Sequence, residues 1–229
     1  MHQPGRRFVF GLALSRDSFQ LIYFDRSGAV ESVSVDIHAD AIQLVQVIRM
    51  LGDNDLSRLG FDPSIYWSDG RQYVDVEHPT SDPLKPALLQ YKIQRVLFQR
   101  PHMVERGTTC WVVKEAGSEE SLLMKDTLQA EDHTGEQFLN LVNVERIPGV
   151  AGLLFAAKTR DSSISSLRQD QCITTTGHKN RVFYRLLSQL QGPSICHFQS
   201  GVRLLQALRD VVHGASSASL FTFIHLIVL

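Results

Sequence analysis

Near the N-terminus, apolar and polar residues alternate over two successive segments. The alternation runs through residues 7–14 and returns over residues 18–24. A period of two is that of a β-strand with one buried face. Residues 25–28, Asp-Arg-Ser-Gly, are turn formers, and a third strand pattern follows over residues 29–35. The sequence therefore predicts an antiparallel meander at the start of the chain.

A helix is predicted directly after this meander. Apolar residues within 41–51 recur at spacings of three and four, and Gly52 stands where a glycine commonly ends a helix. We expect the apolar side of this helix to cover the sheet. The predicted fold class is therefore α+β, with an N-terminal antiparallel sheet and a covering helix followed by further strands.

The rest of the chain combines strand patterns with two helices and one polar segment. The strand patterns occupy residues 72–77, 88–99, 109–114, 121–124 and 194–198. Helical spacing predicts one helix over residues 133–145 and another that starts after Ser200 and ends before Gly214. Residues 159–180 are rich in Ser, Thr, Gln and Asp without periodicity, which predicts an irregular or disordered insert.

Composition argues against several classes of protein. The 23 Lys and Arg residues balance 24 Asp and Glu residues, so we expect no broad basic face for nucleic acid. Three widely spaced cysteines fit a reducing compartment and no structural zinc site. The N-terminus carries no signal-peptide pattern, and the apolar run 220–229 is shorter than the roughly 20 residues that a membrane-spanning helix needs. We expect an intracellular protein without a membrane partner, in a compartment that the sequence leaves open.

The middle of the chain holds the candidate binding residues. Gly107 and Val112 are spaced as the second glycine and the valine of G-x-G-x-x-G-x-V, and Lys125 follows in the next strand pattern. In protein kinases such a hairpin covers the ATP phosphates, because glycines let backbone N–H groups approach, and a third-strand lysine holds the phosphates. Glu105 and Cys110 occupy the other two glycine positions. The residues alone leave two interpretations open, a nucleotide site or a β-hairpin with Lys125 solvated at a strand end.

A series of short phrases carries a family resemblance. In chain order they are residues 7–12 (RFVFGL), 24–28 (FDRSG), 36–37 (DI), 59–65 (LGFDPSI), 106–109 (RGTT), 125–126 (KD), 180–182 (NRV), 192–195 (GPSI) and 204–214. Together these phrases resemble the fungal-type protein kinases, a divergent branch of the eukaryotic protein kinases. The resemblance runs from about residue 6 to residue 214 and covers the N-terminal portion of that family.

The resemblance implies a role for five residues. Lys125 is similar to the lysine that anchors the phosphates, and Glu136, on the helix that follows, is similar to the glutamate that pairs with it. Gly107, Thr108 and Val112 are similar to the residues that cover the nucleotide. ATP and Mg²⁺ are the cofactors that the resemblance implies.

Two positions weaken this implied site. Leu123 takes the place where kinases usually put a small residue over adenine, so the roof of the site is expected to be crowded. A shift of one residue in the helix would put Gln137 in place of Glu136, and the ion pair that orients Lys125 would then be absent. We expect any nucleotide binding by this chain to be weak.

The motifs that perform phosphate transfer in the family are not found in the sequence. His-Arg-Asp-x-x-x-x-Asn supplies the proton acceptor and one Mg²⁺ ligand, and Asp-Phe-Gly supplies another. Neither string occurs in the 229 residues. We therefore assign no catalytic residue and no metal ligand, and we expect Asp210, in Leu-Arg-Asp, to lie on a solvated helix face.

The resemblance divides the chain into five parts. They are a family-specific α+β extension (1–90), an incomplete kinase-like N-lobe (91–158), a flexible insert (159–180), a hinge with the first C-lobe helix (181–214) and an apolar tail outside the family pattern (215–229). The function implied is that of a truncated protein kinase-like protein, inactive as given, whose full-length relatives transfer ATP phosphate to Ser or Thr of proteins. The alternative is a non-catalytic interaction module. The protein partner or substrate is not identified by the sequence.

Overall fold

Two antiparallel sheets form the framework of the molecule. The computed structural model describes residues 5–78, 87–100, 104, 106–131, 153–174, 177–189, 198 and 200–217. The small sheet contains β1 (Val9–Leu14), β2 (Ser18–Asp25), β3 (Gly28–Glu31) and β4 (Val35–Asp36). The large sheet contains β5 (Ile65–Ser68), β6 (Arg71–His78), β7 (Ala87–Gln99), β8 (Thr109–Glu115), β9 (Ser121–Ala130), β10 (Leu153–Ser163) and β11 (Arg181–Gln189). The helices in the described residues are α1 (Ala41–Leu51), α2 (Ile164–Asp170) and α3 (Gly201–Ser217). The α+β class is confirmed.

The small sheet is the predicted meander with one change. β1 and β2 pair antiparallel along six residues, from Val9 opposite Phe24 to Leu14 opposite Phe19. The predicted third strand is two short strands, β3 and β4, which both pair with β2. Phe8 and Tyr23 are buried against Leu167 of α2, so the core of this sheet lies between it and that helix.

Helix α1 has the predicted bounds, but its apolar side is not buried. It begins at Ala41 and ends at Leu51, and the φ of −95° at the C-cap Gly52 shows that no left-handed cap is used. None of its residues is buried, and Ile42, Val45 and Ile48 are each more than half exposed. The expected covering of the sheet by this side is therefore not observed. Helical spacing identifies which side is apolar and says nothing about what lies opposite.

The large sheet has the strand order β10-β11-β9-β8-β7-β6-β5 and curls until β6 approaches β10. The face inside this curl, which we call the inner face, carries the main hydrophobic core. Its buried side chains are Val74, Val76, Tyr91, Ile93, Trp111, Val113, Leu122, Met124, Phe155 and Leu187. Because β5 and β6 pair with β7, the expected boundary at residue 90 falls inside β7 and does not separate two sheets.

The segment 159–180, expected to be irregular, contributes regular structure. It completes β10 and forms α2, whose N-cap Ser163 accepts a hydrogen bond from the Ser166 N–H. Ile164, Leu167 and Arg168 are buried, and the Arg168 guanidinium lies 2.6 Å from the Asp25 carboxylate of β2. The flexible-insert prediction is therefore wrong for the described part of this segment, because tertiary contacts stabilise a polar helix of seven residues.

A chain of buried charges joins the two sheets. Arg185 of β11 donates two hydrogen bonds to Asp126 of β9, at 2.8 and 3.0 Å, and a third to Asp62, at 3.1 Å. Arg7 donates to the other oxygen of Asp62 at 2.8 Å. The Arg185 and Asp62 side chains are 1% and 2% exposed. We call these four residues the buried charge network.

Helix α3 starts after Ser200, as predicted, and continues through Gly214 to Ser217. Ser200 Oγ accepts from the Arg203 N–H at 3.3 Å. The predicted helix 133–145 and the apolar run 220–229 lie outside the described residues, as does nearly all of the predicted strand 194–198. None of the helices in the described ranges combines the length and the apolar character needed to cross a membrane.

Candidate functional site

The candidate site lies on the face of the large sheet opposite the inner face. Successive residues of a strand point to opposite faces, and residues directly opposite each other share a face. Cys110 of β8 is directly opposite Lys125 of β9, and Leu186 of β11 is opposite Lys125 on its other side. One step along the strands, Val112 is opposite Leu123. These five side chains form a patch on what we call the outer face.

Lys125 is held in the middle of a strand and is half-buried. β9 runs from Ser121 to Ala130 with ladder partners on both sides, so Lys125 cannot be a solvated residue at a strand end. Burial lowers the pKa of its ammonium group, and the nearby guanidinium groups of Arg106 and Arg100 lower that pKa further. A half-buried cation with other cations close by is an environment that favours an anion.

The described end of the connection between β7 and β8, residues 106–108, is what we call the loop. The Arg100 N–H donates to the Thr108 carbonyl at 2.9 Å, which extends the ladder beyond the strand ends. The Leu128 N–H of β9 donates to the Arg106 carbonyl at 2.7 Å. The Thr108 and Thr127 hydroxyls lie 3.3 Å apart. The loop is thus attached to the strand that carries Lys125.

Gly107, in the loop, adopts a backbone conformation that favours glycine. Its φ of +53° is in the left-handed region, and a Cβ built there would lie 2.6 Å from Nε of Arg26. A side chain at this position would therefore carry backbone strain and a collision together.

Cys110 is a packed strand residue with no sign of nucleophilic activation. Its side chain is fully buried, and burial raises the pKa of its thiol to about 11, against the lowering effect of Lys125. The thiolate is the nucleophilic form, so this cysteine is chemically inert near neutral pH. Its role at the third glycine position is to fill space between β7 and β9.

Asp126, next to Lys125 in sequence, belongs to the opposite face and to the buried charge network. Burial raises the pKa of its carboxyl, while the Arg185 guanidinium acts to lower it. Burial also acts to raise the pKa of the Asp62 carboxyl, but Arg185 and Arg7 together hold that pKa below its usual range. Both carboxylates are thereby committed to arginines and are not directed at the outer face.

The structure brings together most of the residues singled out from the sequence. Lys125 and Val112 lie within the outer-face patch. Thr108 lies beside Thr127 of the same strand as Lys125, and Gly107 lines a small cavity on the other side with Asp126 and Leu128. Glu136 lies outside the described residues, so its pairing with Lys125 stays a prediction. Asp210 is exposed and contacts its neighbour Arg209 at 2.9 Å, as expected for a solvated helix face.

Sequence reasoning missed the arginines around the loop and the buried charge network. The guanidinium groups of Arg100 and Arg106 lie near Lys125, and Arg26 reaches Gly107 from the small sheet. A usable signal existed for the network, because Asp126 and Arg185 interrupt apolar strand patterns, and a charge on a buried strand requires a partner. Their pairing could not be found without the order of the strands. Among the described residues, no group of three His, Cys, Asp or Glu is placed to hold a metal ion.

Comparison with known proteins supplies the family. The model of a family described as fungal protein kinase matches residues 1–222. A search of curated proteins gave no match. The match spans nearly the whole chain, and the sheet that it covers places a lysine on the third strand of a hairpin-plus-strand unit, as protein kinases do. The chain belongs to the fungal protein kinase family.

Proposed function

We propose that this chain binds ATP on the outer face of the large sheet, with Lys125 as the main phosphate contact. The observation that carries the proposal is that Lys125, Val112 and Leu123 share one face of the sheet. The guanidinium groups of Arg100 and Arg106 lie near the Lys125 ammonium. The charges suit a polyphosphate, and the apolar pair suits a flat base. Family membership favours ATP over other anions.

Binding is expected to be weak for two local reasons. Leu123 projects from the position that lies over the base, so it reduces the space for adenine. Cys110 is part of the β8 ladder, opposite both Phe98 and Lys125, so its backbone N–H is not presented by a mobile glycine loop. Mg²⁺ accompanies ATP in the family, and the proposal assigns it no ligand, because among the described residues no group of three His, Cys, Asp or Glu is placed to hold a metal ion.

The first experiment compares two lysines by titration calorimetry with Mg-ATP. Lys125→Met removes the half-buried cation but keeps an apolar stem. Lys114→Met is the matched control, because Lys114 lies near the end of β8 and pairs with the exposed Glu119 at 3.0 Å. Binding should fall by at least about tenfold, or 1.4 kcal/mol, in the Lys125 variant and stay unchanged in the control. Equal losses at both positions would show that nucleotide is held by diffuse charge attraction.

We further propose that these 229 residues do not transfer phosphate by themselves. The family's proton acceptor and metal ligands come from the motifs His-Arg-Asp-x-x-x-x-Asn and Asp-Phe-Gly, and neither motif occurs in this sequence. Incubation with γ-labelled ATP and a generic protein substrate should give background labelling. Labelling that disappears in the Lys125→Met variant would refute this part of the proposal.

A second candidate function, protein interaction without catalysis, is favoured by the exposed apolar side of α1. Both functions leave the fold unchanged, and a thermal shift with Mg-ATP distinguishes them. A nucleotide at 100 times its Kd adds about 2.7 kcal/mol of stability, whereas an interaction module gains none. Absence of a shift at millimolar nucleotide would leave the interaction module as the better account.

A further inference from the structure

We propose that Arg26, in a turn of the small sheet, is a positioning residue for the loop, residues 106–108. The part of this inference that concerns nucleotide binding, which we call the nucleotide arm, rests on the proposed function. The part that concerns the conformation of the loop does not depend on it. The small sheet would then fix the conformation of residues 106–108, beside which the proposed function places the phosphates.

The contact is direct and close. The guanidinium and the last methylene of Arg26 occupy the space beside Gly107, with Nε, Cζ and Cδ at 2.6, 2.9 and 3.0 Å from the place of a Cβ. Arg26 is half-buried, and burial lowers its pKa. Gly107 therefore takes its left-handed conformation against a side chain from a segment 81 positions earlier in the chain.

The turn that carries Arg26 is itself anchored on three sides. Asp25 is 2% exposed and receives two hydrogen bonds from Arg168 of α2, at 2.6 and 3.0 Å. The Asp25 carboxylate also accepts from the Ser27 N–H at 2.7 Å, which closes the turn. The Ser27 hydroxyl donates to the Lys179 carbonyl at 2.6 Å. These contacts fix the backbone of the turn, and the Arg26 side chain is thereby placed beside Gly107.

Arg26 acts on the loop from the side away from Lys125. It lines a small cavity together with Gly107, Thr109, Asp126 and Leu128. Asp126 and Leu128 alternate with Lys125 along β9, so they face the other way. Arg26 therefore contacts the loop on the side away from Lys125. In this position it would not contact phosphates bound on the outer face.

Two backbone N–H groups report directly on the position of the loop. The Arg100 and Leu128 amides donate to the Thr108 and Arg106 carbonyls, on either side of Gly107. Hydrogen exchange at these amides is measured in the nucleotide-free chain for wild type, Arg26→Ala and Arg16→Ala. Arg16 is an exposed arginine in another turn of the small sheet, so it controls for loss of charge alone.

The expected result is local. Both reporter amides should exchange about tenfold faster in Arg26→Ala, with no change at the buried Val113 amide and no change in Arg16→Ala. Unchanged reporter amides would overturn the inference, and so would faster exchange at Val113, because a general loss of stability would then explain the effect. Should Arg26→Ala fail to fold, Arg26→Met, which keeps the aliphatic stem, is measured in the same way.

The nucleotide arm uses Mg-ATP and adenosine as probes. Arg26→Ala should weaken Mg-ATP binding about tenfold and leave adenosine binding unchanged, because the proposed function places only the phosphates beside residues 106–108. Equal weakening of both ligands would contradict the positioning role. If wild type binds neither probe while the reporter amides respond, the proposed function fails and the positioning of the loop stands.

Discussion

His78 lies between two rings on the inner face of the large sheet. Its imidazole stacks on Phe155 with ring centres 4.1 Å apart, and its Nε2 is 3.0 Å from the Tyr91 hydroxyl. Burial lowers the pKa of His78 below its ordinary value of 6.5, although Glu115 acts in the opposite direction. The unfolded chain therefore binds a proton at this residue at a higher pH than the folded chain does.

This difference predicts a pH dependence of stability. Between the folded pKa and 6.5 the unfolded state holds more protons, so the free energy of unfolding falls as pH falls through this window. His78→Gln should flatten the slope of stability against pH below 6.5 in urea unfolding. His38→Gln is the control, because that ring is 74% exposed. A wild-type slope that survives in His78→Gln would assign the effect to another group.

At the scale of single residues, sequence reasoning singled out Val112 by its spacing from Gly107 and Lys125 by its place in the next strand pattern, and it missed Arg185. Short spacings and strand patterns can be read from the sequence directly. The partner of Arg185 can be identified only once β11 is known to lie between β9 and β10, because that partner, Asp126, is 59 positions away in the sequence. Arg26 was missed for the same reason, since a turn residue shows nothing of the loop that it will contact.

At the scale of elements, α2 shows how a helix can escape detection. Seven residues with several serines have weak intrinsic helicity, so the segment reads as polar and irregular. Its stability comes from tertiary contacts, namely the burial of Ile164 and Leu167 and the ion pair of Arg168 with Asp25. Helix α1 is the converse case, because its periodicity is strong and its apolar side has no buried residue.

The N-cap of α2 gives a prediction at this scale. Ser163 Oγ accepts from the Ser166 N–H at 3.0 Å, and loss of such a cap costs about 1 kcal/mol. Ser163→Ala should lower the free energy of unfolding by that amount. Ser68→Ala, at an exposed position on β5, should have no comparable effect. Equal stabilities of the two variants would show that packing alone holds the helix.

At the scale of the whole molecule, the sheets form one unit because buried charges cross between them. The sequence predicted the small sheet and only four strands of the large one, namely β6, β7, β8 and the first half of β9, while β5, β10 and β11 were missed. It placed a boundary at residue 90, inside β7. The boundary that the resemblance implied separates no structural units, because β5 and β6 continue the large sheet while the Asp62 turn beside them reaches Arg185. The order of the strands was not available from periodicity, which reports faces and not neighbours.

Breaking the buried charge network should destabilise the whole molecule. Arg185→Met leaves Asp62 and Asp126 buried without their shared cation, a loss of about 3–5 kcal/mol by comparison with other buried pairs. Arg209→Met removes an arginine from an exposed pair on α3 and should change stability by less than about 1 kcal/mol. Urea unfolding of both variants tests this. A loss in Arg185→Met no larger than in the control would mean that the sheets associate through apolar contacts alone.

β9 presents Lys125 to the outer face and Asp126 to the charge network on the other side. A strand that serves two faces in this way tolerates substitution far better than a change of length, because a one-residue deletion exchanges every side chain between the faces. Such a deletion would bring the lysine toward Arg185 and the aspartate toward the outer face. Across this family, the number of residues in this stretch of β9 should therefore stay constant, while insertions accumulate in the connections between strands.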